Sequence, residues 1–159
     1  GGEINIQEAP EGADLHTMGG DVEVKDARTF VRAKTMGGDI RIDAIDGWVQ
    51  ATTLGGDVNV TMTGKGGNAT LESLSGDVAL HVPQGFGMNL DLEIAYTRNS
   101  SQEYRIDAPG GLASTVSPDW DHGKGSPRKY IRMSGKVNGG GATVKIRTIN
   151  GNLTVKEGS

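Results

Sequence analysis

Cysteine is absent from the 159 residues. That excludes a disulfide framework, a cysteine-ligated zinc site and a cysteine nucleophile. Aromatic residues are scarce, with two Trp, three Tyr and two Phe, so any core must be narrow and built from small aliphatic side chains. No apolar run approaches the ~20 residues that span a bilayer as a helix. A G-X-Y period is missing, which excludes collagen. Basic residues do not dominate either. Lys and Arg number 16 against 20 Asp and Glu, for a net charge of −4. Nucleic acid is therefore not an expected partner, because neutralising phosphates takes a basic patch. No Met opens the chain, which begins Gly1-Gly2. A processed or engineered piece is expected, with any signal peptide out of view.

What is abundant is glycine, at 26 residues, more than twice the usual share of roughly 7 %. The glycines mark a repeat. Thr17-Met18-Gly19-Gly20-Asp21-Val22-Glu23-Val24 returns as Thr35-Met36-Gly37-Gly38-Asp39-Ile40-Arg41-Ile42. It returns again as Thr53-Leu54-Gly55-Gly56-Asp57-Val58-Asn59-Val60 and as Ser73-Leu74-Ser75-Gly76-Asp77-Val78-Ala79-Leu80. A late copy is Thr148-Ile149-Asn150-Gly151-Asn152-Leu153-Thr154-Val155, and Ser134-Gly135-Lys136-Val137 is a weaker one. Gly2, Gly20, Gly38 and Gly56 are 18 residues apart, and Gly56 to Gly76 is 20.

Upstream of each bend, Val31-Arg32-Ala33-Lys34-Thr35 and Val49-Gln50-Ala51-Thr52-Thr53 alternate apolar and polar residues. So do Val22-Glu23-Val24 and Ile40-Arg41-Ile42 downstream. A period of two specifies strands with one face in and one out. Each repeat is therefore two short strands joined at the Gly-Gly-Asp bend. A β-solenoid explains the repeat better than a meander, because stacked rungs make equivalent residues into neighbours ~4.8 Å apart. The expected inward columns are Val22, Ile40, Val58, Val78; then Val24, Ile42, Val60, Leu80; then Met18, Met36, Leu54, Leu74, Ile149. No helix is expected.

The fold class read from the chain is all-β: one β-solenoid domain over 1–159, β-helix-like, with rungs of about 18 residues. Regular rungs occupy 1–80, an irregular insert or cap 81–133, and closing rungs 134–159. Gly76 to Gly151 is 75 residues, which suggests either about four decorated rungs or a hairpin cap that hides strand edges.

The recurring Gly-Asp-Val/Ile steps, with Met133-Ser134-Gly135-Lys136-Val137-Asn138-Gly139-Gly140-Gly141 and Ile146-Arg147-Thr148-Ile149-Asn150-Gly151-Asn152-Leu153, resemble a bacterial adhesin-type family of β-strand-repeat proteins of unknown function. The resemblance implies a secreted or envelope-exposed solenoid with an adhesive or envelope-associated role. It implies no catalytic residues, and fold alone does not fix function.

Four groups of residues invite a chemical reading. Asp21, Asp39, Asp57 and Asp77 should stack at one bend, where the carboxylates repel. Calcium would relieve that repulsion, but the Gly-x-Gly-x-Asp spacing of calcium β-rolls is absent, and Asp after Gly-Gly is a natural turn residue. Turn chemistry is the expectation. Thr17, Thr35, Thr53, Ser73 and Thr148 form a hydroxyl ladder beside it. Only His16 could serve one of them as a base, so the ladder is expected to be structural. Phe30 and Trp48 are expected to stack at a corner rather than form a ligand site. The loop Ser117-Pro118-Asp119-Trp120-Asp121-His122-Gly123-Lys124 gathers two carboxylates, a His and a Trp.

That loop is the expected ligand-binding segment, through Asp119, Trp120, Asp121 and His122, since loops on rigid scaffolds carry recognition. The expected protein is a non-enzymatic, extracytoplasmic bacterial module that binds a cell-surface glycan or envelope component and needs no cofactor. The alternatives are a β-helix enzyme cutting an acidic polysaccharide, for which a single acidic loop falls short of paired acid and base, and an inert spacer.

Overall fold

The computed structural model describes residues 3–63, 67–97, 106–107, 114–116 and 128–157. These form fourteen strands and no helix. The first eight are β1 (Ile4–Ile6), β2 (Ala13–Thr17), β3 (Val22–Val24), β4 (Ala27–Thr35), β5 (Ile40–Thr53), β6 (Val58–Met62), β7 (Ala69–Ser73) and β8 (Val78–Val82). The rest are β9 (Met88–Thr97), β10 (Ile106–Asp107), β11 (Ser114–Val116), β12 (Arg128–Val137), β13 (Ala142–Ile149) and β14 (Leu153–Glu157).

Two parallel stacks meet face to face. The residues upstream of each bend build the stack β2, β4, β5, β7, β13, β9. Those downstream build β1, β3, β5, β6, β8, β14, β10. Strand β5 serves both, because 40–42 close one rung and 49–53 open the next. The chain is thus a β-solenoid, and its register pairs like with like: Val22 with Ile40, Ile40 with Val58, Val58 with Val78.

Alternation puts every second side chain in the space between the stacks. Val31, Val49, Ala69 and Val144 of one stack and Val22, Ile40, Val58 and Val78 of the other line that space, and all are at most 1 % exposed. Burying each Val or Ile contributes roughly 1.5–3 kcal/mol, which is how a core this narrow holds without aromatic bulk.

Two expectations are corrected here. The column Met18, Met36, Leu54, Leu74, Ile149 points outward, not inward. Met18 is 61 % exposed, Leu74 45 % and Met36 37 %. The inward position is held by its upstream neighbours Thr17, Thr35, Thr53, Ser73 and Thr148, all buried. Hydroxyls are tolerated there because each finds a hydrogen-bond partner inside the corner, as described below.

The second correction concerns the order of the rungs. Among the described residues, no rung lies between the fourth repeat and the last one. Strand β13 pairs in parallel with β7, Val144 beside Ala69 and Thr148 beside Ser73. Strand β14 pairs likewise with β8. The last repeat therefore lies directly on the fourth. Strand β9 comes earlier in sequence but stacks outside β13, with Leu90 beside Val144 and Leu92 beside Ile146. The C-terminal rung fills a slot between β7 and β9.

Beyond β9 the pattern changes direction. β12 runs antiparallel to β9 and β11 antiparallel to β12. The weak copy Ser134-Gly135-Lys136-Val137 belongs to β12 and is no rung. Strand β9 extends the stack, and β12 with β11 forms an antiparallel margin at its end.

Candidate functional site

The Gly-Gly-Asp corner is the most repeated piece of local chemistry. Its second glycine is required by close approach. A Cβ on Gly38 would lie 2.1 Å from the carbonyl oxygen of Gly20, and one on Gly56, Gly76 or Gly151 would meet the preceding rung's glycine oxygen at 2.1–2.2 Å. Tight stacking lets the buried hydroxyls bridge rungs. Thr35, Thr53, Ser73 and Thr148 donate to the carbonyls of Gly20, Gly38, Gly56 and Gly76 at 2.5–2.9 Å. The same Oγ atoms of Thr35, Thr53 and Ser73 accept from Gly38, Gly56 and Gly76 N–H within their own rung. Each hydroxyl is consumed by structure. His16 is exposed while Thr17 beside it is buried, so the pair points to opposite faces.

The aspartates link the same rungs from outside. Asp21 Oδ1 accepts the N–H of Asp39 at 2.8 Å, Asp39 that of Asp57 at 2.8 Å, and Asp57 that of Asp77 at 2.9 Å. Asp77 Oδ1 accepts the N–H of Asn152 at 2.9 Å. In return the Asp carbonyls take N–H groups from the rung before, as Val22 donates to Asp39 and Ile40 to Asp57. The carboxylate stands in for a backbone acceptor that the bend has turned away. The aspartates are exposed, and one oxygen of each is committed to the next rung. Among the described residues no three His, Cys, Asp or Glu side chains converge as a metal-holding group.

Outside the corner the outward column Met18, Met36, Leu54, Leu74, Ile149 makes a continuous apolar ridge across five rungs. At 4.8 Å per rung it is roughly 20 Å long. At its upper end lies a recess of about 190 Å³ lined by Leu74, Ile149, Ala95 and Tyr130, with Glu72, Glu93 and Arg147 at its rim. Glu93 holds two arginines there, Arg132 at 3.0 Å and Arg147 at 3.5 Å. The first residue of each bend flanks the ridge, as glycine at 19, 37 and 55. A Cβ on Gly19 or Gly37 would meet nothing within 4 Å, so the fold itself does not require glycine at those positions. The signal for the ridge was present in the sequence. Counting by twos from Val31 through Ala33 lands on Thr35 as inward and Met36 as outward.

At the other end of the same strands, Phe30 and Trp48 stack as expected, 5.0 Å between centroids and 17° from parallel. Asp119, Trp120, Asp121 and His122, the loop expected to bind a ligand, lie outside the described residues.

Stacked parallel rungs with a Gly-Gly-Asp corner and a hydroxyl-bridged interior define a β-solenoid of repeat type. A family model described as Toastrack DUF4097 matches residues 2–156. The chain belongs to that family, a domain of unknown function. Comparison with curated proteins and with solved structures gives no match. Among the described residues no helix is long and apolar enough to cross a membrane.

Proposed function

We propose that this chain is a non-enzymatic, extracytoplasmic bacterial interaction module, an adhesive scaffold that engages a component of the cell envelope. The observation that supports this reading is the apolar ridge. Five rungs repeat a Met, Leu or Ile at a position the core does not use, and monomeric proteins rarely spread apolar side chains contiguously without a partner for them. The hydroxyl and carboxylate ladders, which would be the raw material of an enzyme, are tied into rung-to-rung hydrogen bonds. An acidic-glycan hydrolase would need a paired acid and base, for which the sequence offers the carboxylates of 117–124.

The test is co-sedimentation of the purified protein with washed envelope fragments of the bacterium that makes it. The parent is expected to sediment with the fragments. A Met18→Ser, Met36→Ser, Leu74→Ser variant with an unchanged melting temperature is expected to stay in the supernatant. A parent that never sediments overturns the reading, and a variant that sediments equally well removes the ridge from it. Fractionation of the same bacterium tests the extracytoplasmic placement, which recovery in the cytosol would overturn.

A further inference from the structure

The stacked pair at the start of the strands is an unfinished column. Gly12, Phe30, Trp48 and Asn68 occupy equivalent positions on successive rungs, since Phe30 pairs with Trp48 and Val49 with Ala69. Gly12 leaves room below: a Cβ there would lie 2.3 Å from the Phe30 ring. Phe30 therefore lies flat over Gly12, and Trp48 lies flat over Phe30. On the next rung no ring follows. Asn68 turns its Oδ1 onward to accept the N–H of Thr143 at 2.8 Å, away from the indole. What remains above Trp48 is a recess of about 500 Å³, bordered by Gln50, Gly67, Asn68 and Thr70. That volume is within the range of small-ligand sites. The indole is 37 % exposed and is held from behind by Phe30. Arg32 further fixes it, with its guanidinium carbon 5.7 Å from the ring centroid.

The geometry points to a carbohydrate-binding site in which a neutral pyranose ring completes the stack on Trp48. An indole face is electron-rich and apolar, which suits the C–H face of a sugar ring. Beside the indole, the described polar side chains that border the recess are carboxamides and a hydroxyl, and these groups exchange hydrogen bonds with ring hydroxyls in either direction. Gln50 also borders a second recess of about 280 Å³, lined as well by Asp14, His16, Arg32, Lys34 and Thr52, so a neighbouring sugar unit there would meet charged groups. The Met ridge lies at the opposite end of these strands, so the site deepens the proposed surface role without sharing its residues.

The test uses a Trp120→Phe background, which leaves Trp48 as the only tryptophan. Its emission is titrated with cellotetraose, chitotetraose, maltotetraose and, as a planar non-sugar, adenosine. A saturable emission change with at least one tetrasaccharide is expected, weakened about fivefold or more by Gln50→Ala. Calorimetry on Trp48→Ala should then show no heat of binding, with unchanged far-UV circular dichroism. No saturation with any of the three tetrasaccharides overturns the site. A response to adenosine in their place, or an affinity indifferent to Gln50→Ala, overturns it equally. Sugar binding and envelope co-sedimentation are separate readouts. Failure of the first with the second intact removes only this site, and the converse removes only the ridge-based reading.

Discussion

The backbone N–H of Asn152 donates to Oδ1 of Asp77 at 2.9 Å, across 75 positions of sequence. It is the same bond that Asp39 makes to Asp21 across 18. The corner thus accepts a rung from anywhere in the chain, provided the residue after the glycines presents its N–H. Asp57→Ala is expected to lower stability by about 1 kcal/mol, because one rung-to-rung bond is lost. Asp57→Asn keeps the acceptor and removes one of the stacked charges, so it should match or exceed the parent. Urea titrations of the two variants check this, and equal losses in both would show that charge rather than hydrogen bonding matters there.

Neighbouring glycines should behave oppositely. Gly37→Ala meets open space and is expected to be neutral or slightly stabilising, through lost freedom of the unfolded chain. Gly38→Ala drives a Cβ into the Gly20 carbonyl, and relief requires the rungs to part. A loss of about 3 kcal/mol or more is expected. Thermal melts of the pair decide it, and similar midpoints would contradict the stacking distance at the corner.

The inward and outward columns give a second contrast. Val58 is 1 % exposed, and Val58→Asp buries an unpaired charge at a cost of several kcal/mol, against a total stability of ~5–15. Unfolding at ambient temperature is expected. Met36→Asp adds the same charge to the outward ridge and should leave circular dichroism and melting nearly unchanged. A folded Val58→Asp protein, or an unfolded Met36→Asp one, would reverse the assignment.

Calcium is the remaining test of the aspartate ladder. The ion takes six to eight oxygens, whereas each of Asp21, Asp39, Asp57 and Asp77 has one oxygen committed to the next rung's N–H or, for Asp77, to that of Asn152. The melting temperature with calcium is expected to equal that with chelator. A rise of many degrees would make the ladder a metal site.

Much of the solenoid was legible because stacking forces equivalence. Val22, Ile40, Val58 and Val78 announce their column by recurring at a fixed spacing, and alternation around them gives the strands. Hydropathy misled at the corner, where Met36 looks more inward than Thr35. A buried hydroxyl is identified by the carbonyl it reaches, and that carbonyl belongs to another rung. The position of the last repeat was not legible for a related reason. Similarity between Gly76 and Gly151 shows that the two can stack, but not which rungs lie between them. The slot depends on β9 pairing with β13 rather than β7, a choice made by contacts 50 residues apart. The Trp48 recess was also hidden, since it arises from the direction in which Asn68 turns.

Order of synthesis and order in space disagree at that slot. Chains are synthesised from the N-terminus at roughly 5–20 residues per second. Strand β9 is made some 50 residues before the strand that separates it from β7. During that interval Leu90, Leu92 and Ile94 present a surface that β7 could take in place of β13, since both offer the same alternation. The finished register therefore requires β9 to wait or to be displaced. The completed rung then lies inside the stack, between β7 and β9 and between β8 and β10, where it cannot peel away as an edge strand would. Insertion between older strands gives 142–157 the protection of a central segment.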